Sequence, residues 1–250
     1  MPVGFLFAAG LCAGALNSVA GGGSFLTLPT LLWAGIAPVS ANATSTFAVW
    51  PASIASAVAY RREVRLTRTG LPWLGGVSVV GGFLGATLLV RTSDESFSRL
   101  LPWLMLVAAA TFTFGGRFTR RADGAPSGQW HSRRWFLFVL AGQLVIATYG
   151  GYFGGGMGII MLAAFAAAGM TDIHDMNGLK AILGVSINGV ALVWFIIKGA
   201  IVWQPGLVMM AGAIIGGYGG AALARRVDRR VVRGLAAIVG WGMTIYFFVR

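Results

Sequence analysis

The sequence predicts an all-α polytopic membrane protein built of two inverted-topology repeats, with glycine-broken, re-entrant or short helices meeting near the midplane. Three observations predict it. Charged residues make up 10% of the 250-residue chain and hydrophobic ones 57%, whereas a soluble domain carries roughly 25% charge. The charges are also confined, with none before Arg61 and none within 71–90, 100–116, 135–171, 181–197, 199–224 or 234–249. A glycine triplet, Gly21-Gly22-Gly23, then returns as Gly154-Gly155-Gly156 at an offset of 133 (154 minus 21).

Windows of about 20 apolar residues suit a bilayer-spanning helix. Five apolar segments fall in each half: 2–20, 24–36, 40–60, 71–90 and 100–116, then 135–152, 157–169, 177–197, 206–224 and 234–249. Residues 1–116 form the first transmembrane repeat and 135–250 the second, joined by the basic linker 117–134 into one integral membrane domain. The opening "MPVGFLFAAG" has no basic n-region and reads as a span, not a cleaved signal. Segments 24–36 and 157–169 hold thirteen residues each, about 20 Å of helix. A hydrocarbon core is about 30 Å thick, so these two read as half-helices or re-entrant arms. "GGFLG" (81–85) and "GGYGG" (216–220) match at an offset of 135 (216 minus 81), each followed by an arginine, Arg91 and Arg226. They read as small-residue packing surfaces.

Basic residues set the orientation. Loop 61–70, the linker and loop 225–233 hold fourteen of the nineteen Lys and Arg, and cytoplasmic loops are the ones enriched in these residues. The net charge of +12 thus reflects membrane orientation and does not call for nucleic acid. With all three segments inside, equivalent loops of the two halves fall on opposite sides, the arrangement of many secondary transporters. Both termini come out non-cytoplasmic, in a bacterial inner membrane. Single cysteines introduced at Arg65 and Arg229 are expected to resist impermeant thiol reagents in intact cells; ready labelling of either overturns this topology.

Three glycines weaken a helix by about 1 kcal/mol each relative to alanine, so each triplet is a break. The helix that restarts after it, at Ser24 or near Met157, offers unpaired N–H groups and about half a positive charge. Glycines let a ligand approach such groups closely. Gly21, Gly22, Gly23 and Ser24, with Gly154, Gly155 and Gly156, are therefore candidate binding residues for a small anion. The alternative is that these glycines only allow tight helix packing.

These residues, in this order, carry a resemblance. Gly14, then Gly21-Gly22-Gly23, Pro29, "ANATST" (41–46) and a basic loop, followed by a second glycine motif with its short segment, resemble the TauE/SafE sulfite exporter family over nearly the whole chain. The resemblance implies two membrane repeats and movement of sulfite, sulfonates or related sulfur-containing or organic anions. One departure is visible: Met161 and Leu162 stand where the first repeat has Leu28 and Pro29.

Other polar residues join the candidate list. Ser40, Asn42, Thr44, Ser45 and Thr46 open the third segment. A helix cap needs one such residue, so Thr44 and Ser45 are candidates for lining the site. Asn17, just before the first break, either donates to the ligand or ties down the broken backbone. In the second half Asn177 and Lys180 occupy the equivalent place. Lys180 either draws an anion, snorkels to the cytoplasmic surface, or pairs with Asp172 or Asp175. Ser186 and Asn188 can satisfy each other or a neighbouring helix. No Asp or Glu lies within a span, and His131 and His174 fall in loops, so no catalytic set, metal site or cofactor is expected. The single Cys12 excludes an intramolecular disulfide and a cysteine cluster. The reading is a non-enzymatic secondary transporter of a small anion in the lipid bilayer, with a homodimer as a possible assembly. Its alternative is a channel-like anion pore without coupled alternating access.

Overall fold

Each apolar segment becomes one helix. The computed structural model describes residues 2–20, 22–60, 70–120, 133–170, 172–223 and 229–249. Gly21, Arg65 with its loop, the linker residues 121–132 and loop residues 224–228 lie outside these. Among the described residues there are ten α-helices and no strand: α1 Val3–Ala20, α2 Ser24–Trp33, α3 Pro38–Tyr60, α4 Leu71–Arg91 and α5 Asp94–Arg120, then α6 Arg133–Tyr152, α7 Met157–Ala167, α8 Ile173–Ile197, α9 Trp203–Leu223 and α10 Arg229–Val249. Four of them, α4, α5, α6 and α8, have uninterrupted described stretches long and apolar enough to cross a bilayer. The chain is a multi-pass membrane protein.

Several helices begin earlier than the charge-free segments do. α5 starts at Asp94 instead of residue 100, and α8 at Ile173 instead of 177. The reason is electrostatic. Asp94 and Glu95 occupy the first turn of α5, where a carboxylate faces the positive end of the helix dipole. Asp172 caps α8 by accepting from the backbone N–H groups of His174 (2.8 Å) and Asp175 (3.4 Å). Absence of charge measures the hydrocarbon length, and the helices run on past it.

The two short helices end alike. Gly35 (φ +82°) follows α2 and Gly169 (φ +91°) follows α7, an offset of 134 (169 minus 35). The N–H of Ile36 donates to the Leu31 carbonyl at 3.1 Å, and that of Met170 to the Phe165 carbonyl at 3.0 Å. Both are left-handed glycine stops of the kind that closes a helix. At ten and eleven residues, α2 and α7 are about 15 Å long, half the hydrocarbon thickness.

Packing does not follow the sequence halves. The two most extensive helix contacts are α1 with α9 and α4 with α6, each uniting one half with the other. A Cβ added at Gly14 would meet the Ala213 carbonyl oxygen at 2.0 Å, and one at Gly216 would meet the Leu11 carbonyl oxygen at 1.9 Å. Likewise Gly85 would strike the Thr148 carbonyl oxygen at 2.0 Å and Gly151 that of Gly82 at 2.2 Å. Backbone touches backbone at these glycines, as in small-xxx-small helix pairs. Gly10 faces Met209 while Gly14 faces Ala213, and Gly81 faces Ala147 while Gly85 faces Thr148, so the helices of each pair run in the same direction.

Two four-helix bundles result. One comprises α1, α2, α3 and α9; the other comprises α6, α7, α8 and α4. The helix pairings of the first recur in the second when each helix is replaced by its counterpart five places on. Helices α5 and α10 pair with each other and lie against both bundles, α5 touching α3 and α7, α10 touching α1 and α2. Aromatic contacts gather several helix ends at one side: Trp33 with Tyr246, Trp103 with Phe248 and Phe47 with Trp203. Tryptophan and tyrosine are enriched where lipid meets water.

Candidate functional site

Both glycine breaks abut the same stretch of α5. A Cβ at Gly22 would lie 2.8 Å from Cζ of Phe112, and one at Gly156 would lie 3.1 Å from Cα of Ala108. Residues 108 and 112 are one turn apart and lie in the middle of the 27-residue α5. The starts of α2 and α7 therefore approach the same level of the molecule from different bundles.

Gly23 caps α2 in a right-handed conformation (φ −55°, ψ −35°) with no side-chain cap, and the half-buried Ser24 opens the helix. Gly23 packs between the Ala13 carbonyl, Asn17 and Val49, each within 3.1 Å of where a Cβ would stand. Asn17 Nδ2 donates to Ser53 Oγ at 3.4 Å, which ties α1 to α3 beside the break. One turn into α2, the buried hydroxyls of Thr27 and Ser45 share a hydrogen bond of 2.5 Å. Thr44 is engaged elsewhere: its hydroxyl accepts from the Val202 N–H at 3.0 Å, holding the chain just before α9.

At the second break the backbone is left-handed. Gly154 (φ +80°) and Gly156 (φ +74°) are both left-handed, a region that costs an L-residue roughly 1–2 kcal/mol. Among the described residues, the N–H groups of Gly155, Gly156 and Gly158 have no acceptor. The carbonyls here are held instead. The Tyr149 hydroxyl donates to the Gly155 carbonyl at 2.6 Å, and Asn42 Nδ2 to the Tyr152 carbonyl at 2.9 Å. Turning the carbonyls outward onto side-chain donors leaves N–H groups at the start of α7 available to a ligand.

Lys180 stands beside the first turn of α7. Its methylene stem passes 3.2 Å from the position of a Cβ on Gly158, while Nζ donates to Asn177 Oδ1 at 3.0 Å. Asn177 in turn donates to the Ile173 carbonyl at 2.8 Å. The ammonium is thus engaged by a residue on the first turns of α8.

The structure brings together Asn17, Gly22, Gly23 and Ser24 at the first break and Gly154, Gly155 and Gly156 at the second. Thr44, Asn177 and Lys180 sit outside that cluster, and Gly21 is outside the described residues. Two side chains join it that were not assigned there from sequence. Asn188 places Oδ1 3.9 Å from where a Cβ on Gly154 would be, and Ser53 partners Asn17. Ser186 instead donates to the Ile182 carbonyl of its own helix. The signal for Asn188 was its isolation: an amide in the charge-free stretch 181–197 is costly unless it meets a partner or a cavity.

A family model described as "Sulfite exporter TauE/SafE" matches residues 6–247. The chain belongs to the TauE/SafE family. Among relatives of this TauE/SafE protein, one from Haemophilus influenzae named "Probable membrane transporter protein" is 26% identical over 243 residues, covering 96% of this chain and 91% of the relative. The Escherichia coli K12 protein named "Probable membrane transporter protein YfcA" is 26% identical over 242 residues, 95% of this chain and 86% of the relative. A Sinorhizobium protein named "Probable membrane transporter protein ORF9" is 28% identical over 243 residues, 96% and 90% respectively. No solved structure matches the chain. Family and relatives indicate transport and not catalysis for this TauE/SafE member.

Proposed function

We propose that this membrane transporter, built of two inverted repeats, exports a small anion, such as sulfite, an organosulfonate or a related sulfur-containing or organic anion, by alternating access. The observation that carries the reading is the convergence of both glycine breaks on one level of α5, at Ala108 and Phe112. Backbone that leaves the helix inside a membrane is tolerated where protein buries it or where it lines a cavity. Two such places at one level, each starting a helix, form a cradle of neutral polar groups: glycine N–H donors, with the Asn188 amide on one side and the Asn17–Ser53 pair on the other. The inverted arrangement draws support from the left-handed stops 134 residues apart and from the recurrence of pairings between the halves. On this reading α1–α2 and α6–α7 are hairpins entering from opposite sides. An anion is also driven outward by a cell interior that is negative, which favours export.

Proteoliposome flux with sulfite, sulfate, thiosulfate, sulfoacetate and small carboxylates tests the proposal. Saturable flux that an opposing gradient of the same anion accelerates is expected. Flux that rises linearly with concentration and shows no counter-transport makes the protein a pore.

Lys180 then acts at the approach to the site, by attraction at a distance. Lys180→Met keeps the apolar stem against Gly158, so folding is expected to survive. Binding is expected to weaken roughly tenfold at low ionic strength and far less at high salt, which screens the charge. Equal affinity of the variant and wild type at low salt leaves Lys180 as a snorkelling residue only.

A further inference from the structure

We infer that the moving bodies of this transporter are its two interleaved bundles, α1–α3 with α9 and α6–α8 with α4, and not its two sequence halves. The inference rests on the alternating-access reading above and adds which helices travel together. Its basis is a difference in the kind of contact. Within each bundle the closest approaches are backbone to backbone, at Gly14 and Gly216 in one and at Gly85 and Gly151 in the other, with the added Cβ falling 1.9–2.2 Å from a carbonyl oxygen. Surfaces this close cannot slide without opening a void or colliding, because packed interiors have discrete arrangements and do not deform continuously.

Between the bundles the contact is of another kind. Among the described residues the one extensive meeting of the two is α3 against α8, and its glycine, Gly189, faces a side chain and not backbone. The Trp50 indole lies 3.3–3.6 Å from the position of a Cβ on Gly189, and its Nε1 donates to the Val185 carbonyl at 3.3 Å. A flat ring over a glycine is a surface on which two helices can tilt while remaining in contact. Among the described residues, the other hydrogen bond across this boundary near the breaks runs from Asn42 Nδ2 to the Tyr152 carbonyl. Each break belongs to a different bundle, so relative tilt about the Trp50–Gly189 crossing opens and closes the space between them. Helices α5 and α10, packed on each other, with α5 touching both bundles and α10 the first, form the frame against which they move.

The two partitions make opposite statements about α4. If the bundles move, α4 stays with α6 and departs from α1; if the halves move, α4 stays with α1 and departs from α6. Positions Phe5 on α1, Val80 on α4 and Val145 on α6 are all exposed on the helix surface and accept labels without touching the core. In a Cys12→Ser background, paired spin labels attached by thioether linkage, which sulfite does not cleave, are placed as Phe5→Cys with Val80→Cys and as Val80→Cys with Val145→Cys. Distances are read in lipid with and without saturating sulfite, and flux is measured on the same preparations. The α1–α4 distance is expected to shift by about 5 Å or more, the scale of one-turn helix displacements, while the α4–α6 distance stays fixed. A shift in α4–α6 with α1–α4 fixed overturns the inference and leaves alternating access standing. Sulfite flux with neither distance changing removes moving bodies altogether, and the alternating-access reading falls with them.

Discussion

Gly216→Ala and Gly85→Ala are each expected to lower the unfolding temperature by roughly 10 °C or more, whereas Gly75→Ala leaves it unchanged or raises it. A methyl group at Gly216 would have to occupy a point 1.9 Å from the Leu11 carbonyl oxygen, and at Gly85 a point 2.0 Å from that of Thr148. Neither neighbour is a movable side-chain tip, so the helices must separate along their length and give up the contacts on either side. Overpacking typically costs 1–3 kcal/mol and more where relaxation is blocked, and about 3 kcal/mol moves the midpoint of a 250-residue protein by roughly 10 °C. Gly75 has nothing within 4 Å of an added Cβ, so there alanine gains only its better helix propensity, about 1 kcal/mol. Gly217 supplies an internal contrast, since its added Cβ stands 3.4 Å from the Ala52 methyl, an ordinary contact. Thermal unfolding in detergent, followed by tryptophan fluorescence, decides the matter. Equal midpoints for the Gly75, Gly85 and Gly216 variants would mean the helix pairs are not in backbone contact.

Gly156→Ala is expected to reduce anion binding and flux at least tenfold while most of the protein still folds. Gly156 is the residue before α7 and is left-handed at φ +74°, which for alanine costs roughly 1–2 kcal/mol. Its new methyl would also press on Ala108 Cα at 3.1 Å. The chain relieves both by rotating toward a right-handed turn, which extends α7 backward and gives the free N–H groups of the break helical partners. A loss of about 1.4 kcal/mol in binding is already tenfold. Gly22→Ala is milder by the same logic. Its methyl meets the rings of Phe112 at 2.8 Å and Phe25 at 3.3 Å, and rings can turn aside. Undiminished flux in both variants, measured in proteoliposomes against wild type, would end the idea that the breaks cradle the anion.

Much of this was legible in the sequence, for reasons that differ from element to element. The ten helices follow from where charge is absent, and the starts of the two short ones from the triplets Gly21–Gly23 and Gly154–Gly156; their stops at Gly35 and Gly169 emerge only with the backbone angles. The helix starts at Asp94 and Ile173 were misplaced because a carboxylate at a helix N-terminus looks, in a hydropathy reading, like the end of a span. Pattern could identify "GGFLG" and "GGYGG" as packing surfaces but could not tell Gly216 from Gly217. That difference depends on which side of α9 faces α1, and α1 is nearly two hundred residues away in the chain. The interleaving of the halves was invisible for the same reason. Sequence gives each helix its apolar length and its smallest side, and says nothing of which distant helix will meet that side. Asn188 was noticed as a polar residue in a span, but its place beside Gly154 needed the packing of α8 against α6 and α7 to be known.

The pairing of α1 with α9 bears on how the protein is made. Gly14 meets Ala213, so the ribosome has synthesised 199 further residues (213 minus 14) before the partner surface exists. Through most of translation the glycine side of α1 faces lipid or the insertion machinery, and α4 waits in the same way for α6, though for a shorter time. Helices that are individually stable in the bilayer can tolerate such delays, because insertion precedes association. The first bundle nevertheless closes only when the chain is almost complete. A nascent chain stalled before α9 would carry an unsatisfied helix surface, a ready mark by which quality control could tell unfinished copies from finished ones.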